Sequence, residues 1–510
     1  MSRGRAVRAL ATSGRIPSVL GPRRTTDSCR IFREGWLFAV LVSCGGRMAR
    51  TRSSLTRRRV LATTGTALAG GLAGCTGALP AGGDDGQFDE SDPLVAHERF
   101  GKGSTPLAYQ TSTFYTPIES ESDQPAAAPA LKAQHEEWAE NHPDHRVEVE
   151  YPAFGEWKNN LLTRAASGDP PDGSTLDSFW VPDFYEYIRP LNEFVDDVDD
   201  FFPFVRETAM RDGDLLAGWK YTGCRCLYYR QDVLDRYNDG DPPRTWEDML
   251  AVGGDIVDNE DMDAFMFEPG AFANLPYFWG QGGELVDDEG APVLDEEANR
   301  RAMVRTLGFL QDLVESGVTP QRVASVEEVE TLPREGRAGN LAMFIGNNDQ
   351  IERNIKNPIE ADDDVPDDRW QRWRVARIPM READQFATGV GGWAEGAFVE
   401  GTGGEAAAMK QFIAKFVEPE SMGRYCEAAS LLPTRESVFN DDDLYAPDAP
   451  YQDRFREFLQ DGVARPAVPI YSTIATEYEA AIGNVLTGQS DPESAVDTMI
   501  SRVDEEYEAS

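Results

Sequence analysis

Residues Gly218–Leu250, GWKYTGCRCLYYRQDVLDRYNDGDPPRTWEDML, decide the fold. Cys224, Cys226 and Tyr228 alternate with Arg225, Leu227 and Tyr229, a period-2 run rich in strand-forming residues. Asp232-Val233-Leu234 opens a short helix that Gly240 stops. Pro242-Pro243 stiffens the connection, and Thr245 is placed to cap a second helix from Trp246, with Asp248 three residues on as an acidic capping box. The stretch therefore predicts a strand, a helix, a rigid turn and another helix.

Towards the N-terminus the same alternation recurs. Leu107-Ala108-Tyr109 reads as a strand, Ala130–Asn141 as an amphipathic helix, Val147–Tyr151 as a strand and Phe154–Ala166 as a helix. Strand–helix order with short connections predicts a parallel or mixed sheet flanked by helices. Beyond Leu250, helical periodicity marks Asn299–Gly317, Ala406–Phe416, Met422–Ala429, Ile474–Leu486 and Asp491–Glu506, with a strand at Trp373–Ile378. A chain of 510 residues is long enough for two cores.

The formal charge is −40. The first 74 residues hold 14 Arg and two acids, +12, which leaves −52 for the remainder. Such a surface excludes nucleic acid as a partner. Only seven lysines are present, so the positive charge is almost all Arg. A dense acidic surface with few lysines points to adaptation to molar salt, where a Debye length of ~3 Å screens self-repulsion. Aromatic residues at 10 % and apolar periodicity to the end argue against an acidic disordered chain.

Near the start, Arg57-Arg58 opens a twin-arginine motif, Leu61–Ala73 is an Ala/Gly-rich apolar stretch, and Leu72-Ala73-Gly74-Cys75 has lipobox form. This order predicts translation from Met48, with 1–47 as an upstream extension, 48–75 as a lipoprotein export signal, and lipid on Cys75. Residues 76–105, Gly/Asp-rich and aperiodic, read as a flexible tether.

Catalytic and metal-binding chemistry finds little support. All four histidines, His97, His135, His142 and His145, lie near the start of the mature chain. There is no G-x-S-x-G motif and no Walker A motif. The Asp runs at 196–200, 362–364 and 441–443 lack the Gly and Glu of a calcium loop, and read as solvated surface, with a calcium site as the alternative. Cys224, Cys226 and Cys426 read as buried free thiols. No cofactor and no metal are expected.

The opening stretch resembles the central signature of the extracellular solute-binding proteins of ABC transporters, carbohydrate-binding family 1. Other ordered motifs resemble that family too: Ser167-Gly168-Asp169-Pro170-Pro171, Arg189-Pro190-Leu191-Asn192-Glu193, Gly339–Asn348, Gly391-Gly392-Trp393, Leu432-Pro433-Thr434-Arg435 and Arg465-Pro466. The likeness covers roughly 106–507. It implies a two-lobed α/β periplasmic-binding-protein type II fold, with mixed sheets flanked by helices and a ligand cleft between the lobes. Lobe one is expected from 106–223 plus 388–431, and lobe two from 224–387 plus 432–507.

The resemblance also implies roles. Phe179-Trp180-Val181-Pro182-Asp183 is closest to the maltose-binding branch, in which an FW-x-x-D stretch supplies Trp180 and Asp183 to the sugar. Trp279 and Trp393 are expected to stack on a pyranose, and Glu268, Asn347 and Asn348 to hydrogen-bond hydroxyls, with Tyr221 and Tyr471 as further ligand contacts. An acid of that branch falls at Gly223, so the same sugar is not implied. The expected function is capture of a mono- or oligosaccharide and delivery to ABC permease subunits, without catalysis, by a monomer lipid-anchored on the outer face of the cell membrane. Alternatives are a non-sugar solute in the same fold (polyamine, glycerol phosphate, metal chelate) or a secreted carbohydrate-active hydrolase.

Overall fold

The computed structural model describes residues 94–326, 331–362, 364–446 and 449–509. The segment 1–47, the export signal with Arg57, Arg58 and Cys75, and the first part of the tether lie outside the described residues.

The opening stretch folds as its chemistry dictates. Gly223–Arg230 is a strand, Gln231–Tyr237 a helix, and Trp246–Asn259 a second helix. The capping box is complete: Thr245 Oγ1 accepts from the Asp248 N–H at 3.0 Å, and Asp248 Oδ2 accepts from the Thr245 N–H at 3.0 Å. Gly240 takes φ +86°, a left-handed turn that glycine adopts without strain, and its N–H closes on the Leu234 carbonyl at 3.0 Å.

Two mixed sheets form the centres of two lobes. The first runs in the spatial order Val95–Ala96, Arg99–Phe100, His145–Glu150, Thr105–Gln110, Gly173–Asp177, Trp393–Ala397, Ala217–Trp219. Thr105–Gln110 pairs in parallel with His145–Glu150 and Gly173–Asp177, while Trp393–Ala397 is antiparallel to both its neighbours. The second sheet runs Asp263–Met266, Leu341–Asn347, Gly223–Arg230, Thr388–Gly391, Gly462–Ala464, with Trp373–Ala376 also paired to Gly223–Arg230. Cys224 and Cys226 are buried free thiols on that central strand, and burial pushes both well above the ordinary thiol range.

The chain passes between sheets at Lys220-Tyr221-Thr222 and returns at Gly392. A Cβ at Gly392 would stand 1.9 Å from the Tyr221 carbonyl oxygen, so only glycine lets the two crossing segments touch. A third segment joins them, with Thr222 and Leu432 exchanging backbone hydrogen bonds at 2.7 and 3.0 Å.

Three expected boundaries move. Thr388–Gly391 pairs within the second sheet, so the return falls at Gly392 rather than 388. From Leu432 to Arg435 the chain is still with the first lobe, and it reaches the second sheet only by Gly462–Ala464: buried Arg435 donates to the carbonyls of Asp196, Asp197 and Val417 and to the Asp200 carboxylate. The Asp196–Asp200 run therefore forms the socket of Arg435, in addition to acidic surface. The expected tether to 105 is already sheet from Val95, because Arg99–Phe100 pairs with Glu148 and Val147.

Candidate functional site

A cavity of about 360 Å³ opens where the crossing segments meet. Its floor is Tyr221, Gly223, Gly391 and Gly392; the first lobe adds Ser112, Phe114, Tyr115, Phe154, Asp177 and Trp393; the second adds Phe272, Asn347, Asn348, Asp349, Arg353 and Arg465.

The aromatic wall is built from helix Phe154–Ser167 and the loop after Gly173–Asp177. Trp393, half-buried at the start of its strand, stacks on buried Trp157 at 5.7 Å and 22°. Trp180 meets Trp393 edge-on at 5.5 Å from behind, and Phe154, 65 % exposed, stands 6.1 Å away at the rim. On the floor the Tyr221 and Tyr115 hydroxyls hydrogen-bond at 2.7 Å. Burial raises both phenols well above their ordinary range, so they stay neutral donors and acceptors. Beneath them the Lys220 ammonium lies 3.3 Å from the Tyr115 ring centre and pairs with Glu395 at 2.5 Å.

Four charged side chains line the cavity, in two matched pairs. Arg465 Nη2 donates to Asp177 Oδ1 at 2.7 Å, and Arg353 Nε meets Asp349 Oδ2 at 3.2 Å. Burial raises the Asp177 carboxyl, and the Arg465 charge opposes that rise.

The structure brings Tyr221, Asn347, Asn348 and Trp393 together on this cavity. The Asn348 side chain is committed to the fold: its Oδ1 accepts from the Cys224 N–H at 3.1 Å, and its Nδ2 donates to the Ser430 carbonyl at 2.9 Å. This explains Gly223, where a Cβ would stand 2.8 Å from Asn348 Oδ1. The other expected residues lie elsewhere. Trp180 is 4 % exposed and forms the wall behind Trp393. Asp183 pairs with Lys158 at 2.7 Å, and Glu268 with Arg225 at 3.4 Å. Trp279 ends the helix Ala271–Trp279 away from the cavity lining, and Tyr471, 2 % exposed, meets Phe179 edge-on at 5.9 Å. Sequence reasoning missed Asp177, Arg465, Asp349, Arg353, Tyr115, Phe154 and Phe272. Only Arg465 carried a signal, as the Arg of an Arg-Pro motif.

Two lobes joined by two crossing segments that touch at Tyr221 and Gly392, with an aromatic and polar cavity at the crossing, define a solute-binding architecture. Residues 133–451 match the bacterial extracellular solute-binding protein family, and the chain belongs to it. A probable ABC transporter-binding protein of Deinococcus radiodurans is 24 % identical over 352 residues, covering 66 % of this chain and 79 % of the relative. Among solved structures, maltose-bound MalE3 of T. maritima is similar with a TM-score of 0.65 at 22 % identity, over 79 % of this chain and 99 % of that one. The GacH receptor of Streptomyces glaucescens, solved unliganded and with acarbose, gives 0.63 at 21 % identity, over 78 % and 96 %. Likeness at these identities carries the fold, and the family places the protein outside the cytoplasm among binding proteins.

Proposed function

We propose that the protein is the substrate-binding component of an ABC importer and that its ligand is an uncharged carbohydrate. One observation carries this reading. The cavity sets aromatic faces, Trp393 and Phe154, beside neutral hydroxyls, while its four charged groups are matched in pairs. A pyranose offers an apolar C–H face to a ring and hydroxyls to an edge. A polyamine would call for unmatched carboxylates, and a glycerol phosphate for unmatched guanidinium groups. The sugar-binding relatives MalE3 and GacH support the same class.

Micromolar affinity needs about −8 kcal/mol, within reach of one stacked ring and a few hydrogen bonds. Ligand contacts from both lobes favour the closed state, which permease subunits would then recognise. The ordered motifs around Arg57, Arg58 and Cys75 support export of a folded chain and a lipid anchor on the outer face; the mature protein would act as a monomer. A thermal-shift screen of neutral mono- and oligosaccharides in molar salt tests the function. A stabilising sugar recovered unchanged after incubation is the expected result. Its turnover would establish a hydrolase instead.

A further inference from the structure

Arg465 leaves the second sheet directly after Gly462–Ala464, yet its partners lie in the first lobe. Its Nη2 reaches Asp177 Oδ1 at 2.7 Å and Ser178 Oγ at 3.0 Å, both at the end of Gly173–Asp177. Its guanidinium sits 4.3 Å from the Phe179 ring of lobe one and 4.5 Å from the Phe272 ring of lobe two. The backbone at the return crossing makes room for it, since a Cβ on Gly391 would stand 3.0 Å from Nη2. The Nε–H is buried and has no acceptor among the described residues. A ligand hydroxyl would satisfy that donor.

We propose that the Asp177–Arg465 pair is a charge filter coupled to lobe closure: the lobes latch only around a ligand that leaves this cross-lobe bond intact. The inference rests on the solute-binding reading and deepens it. The bond joins residues of different lobes beside the crossing, so a movement that parts the lobes there would break it. An anionic ligand beside Arg465 competes with Asp177 for the guanidinium and leaves the carboxylate facing a like charge. A cationic ligand competes with Arg465 for Asp177 and strands the guanidinium between two rings. Either outcome leaves a poorly solvated charge without its partner, which is costly. A neutral ligand breaks nothing. Selectivity of this kind acts by penalising the wrong partner as well as by attracting the right one. The other cavity pair, Asp349–Arg353, has both its ionic partners in lobe two, and its guanidinium also lies 5.5 Å from the Phe114 ring of lobe one.

The test uses the full chain with glucose, galactose and maltose as neutral probes, and glucuronate, galacturonate and glucosamine as charged ones. Binding is read by calorimetry, and closure by the radius of gyration from small-angle scattering. Wild type should favour its best neutral sugar at least tenfold over every charged probe. D177N should gain at least tenfold for the uronates relative to that sugar, and R465Q likewise for glucosamine. The double variant D177N/R465Q should lose both gains, and all three variants should show a larger radius with sugar bound. If a neutral sugar binds and both single variants keep the wild-type charge preference, the filter falls while the sugar-binding reading stands. If charged solutes bind and no neutral one does, the sugar-binding reading falls and the filter with it.

Discussion

Two ion pairs flank the first crossing, and they do different work. Lys220–Glu395 lies wholly within lobe one, 1 % and 0 % exposed, at 2.5 Å. Asp177–Arg465 spans the cleft wall, 14 % and 10 % exposed, at 2.7 Å. The buried pair is saturated by its own lobe. Glu395 also accepts from the Tyr109 hydroxyl at 2.7 Å and from Thr175 at 2.9 Å, and Tyr115 caps the ammonium. Burial lowers the Lys220 pKa, and Glu395 opposes that shift. The cleft pair draws its partners from both lobes and keeps a donor unmet. One pair ties one lobe together, and the other ties one lobe to the other.

The sharpest way to break that contrast is K220M. It leaves Glu395 as a buried carboxylate without its counter-ion, which costs about 3–5 kcal/mol. Chemical denaturation in molar salt should show that loss, with loosening of the Tyr115–Tyr221 floor. A loss below about 1 kcal/mol would mean the pair is as dispensable as an exposed one.

Trp180 tests the wall behind the cavity. Truncating a buried Trp costs about 3 kcal/mol or more, so W180A should lower stability strongly, and ligand affinity only through the loss of support for Trp393. Unchanged stability with a tenfold loss of affinity would put Trp180 back on the binding surface.

A smaller effect comes from pH. His135 is buried against Phe100 and Phe412, at ring distances of 4.0 and 5.2 Å, and lies near Lys220. Burial, then the Lys220 charge, lowers its pKa from 6.5 to about 3. The unfolded chain therefore binds this proton first. The stability of the neutral imidazole is fully present above the unfolded value and is lost as pH falls through the window from 6.5 to about 3. At about pH 5 the loss is roughly 2 kcal/mol. Subtracting the pH–stability curve of H135L from that of wild type isolates it. A flat difference would show that His135 is solvated.

What could be read from the sequence follows the range of the forces. The strand Gly223–Arg230, both helices after it and the Thr245–Asp248 box depend on neighbours within a few residues, so alternation and capping chemistry revealed them. The crossing glycines and Trp393 were legible because they sit in one contiguous run. Asp177 and Arg465 are 288 residues apart, and no local pattern says that a strand end and a strand exit will face each other. Asp183 shows the limit of spacing. Trp180 and Asp183 have the spacing of a sugar-binding pair, but Lys158 on the neighbouring helix takes the carboxylate and also donates to Ser472 of lobe two at 2.8 Å. That acid anchors a contact between lobes, and the residue pattern alone cannot distinguish the two uses.

Trp393 carries the smallest change in free energy and the clearest functional readout. One side of its ring rests on Trp157, and the ring also lines the cavity. W393A removes the stacking surface but leaves Trp157 and Trp180 to close the wall behind it, so the fold should lose less than it does in W180A. Affinity for the bound sugar should fall at least tenfold, about 1.4 kcal/mol, by calorimetry in molar salt. Phenylalanine at the same place keeps an aromatic face, so W393F should recover most of that loss. If W393A and W393F bind alike, the ring serves packing, and recognition rests on the floor hydroxyls and the cross-lobe pair.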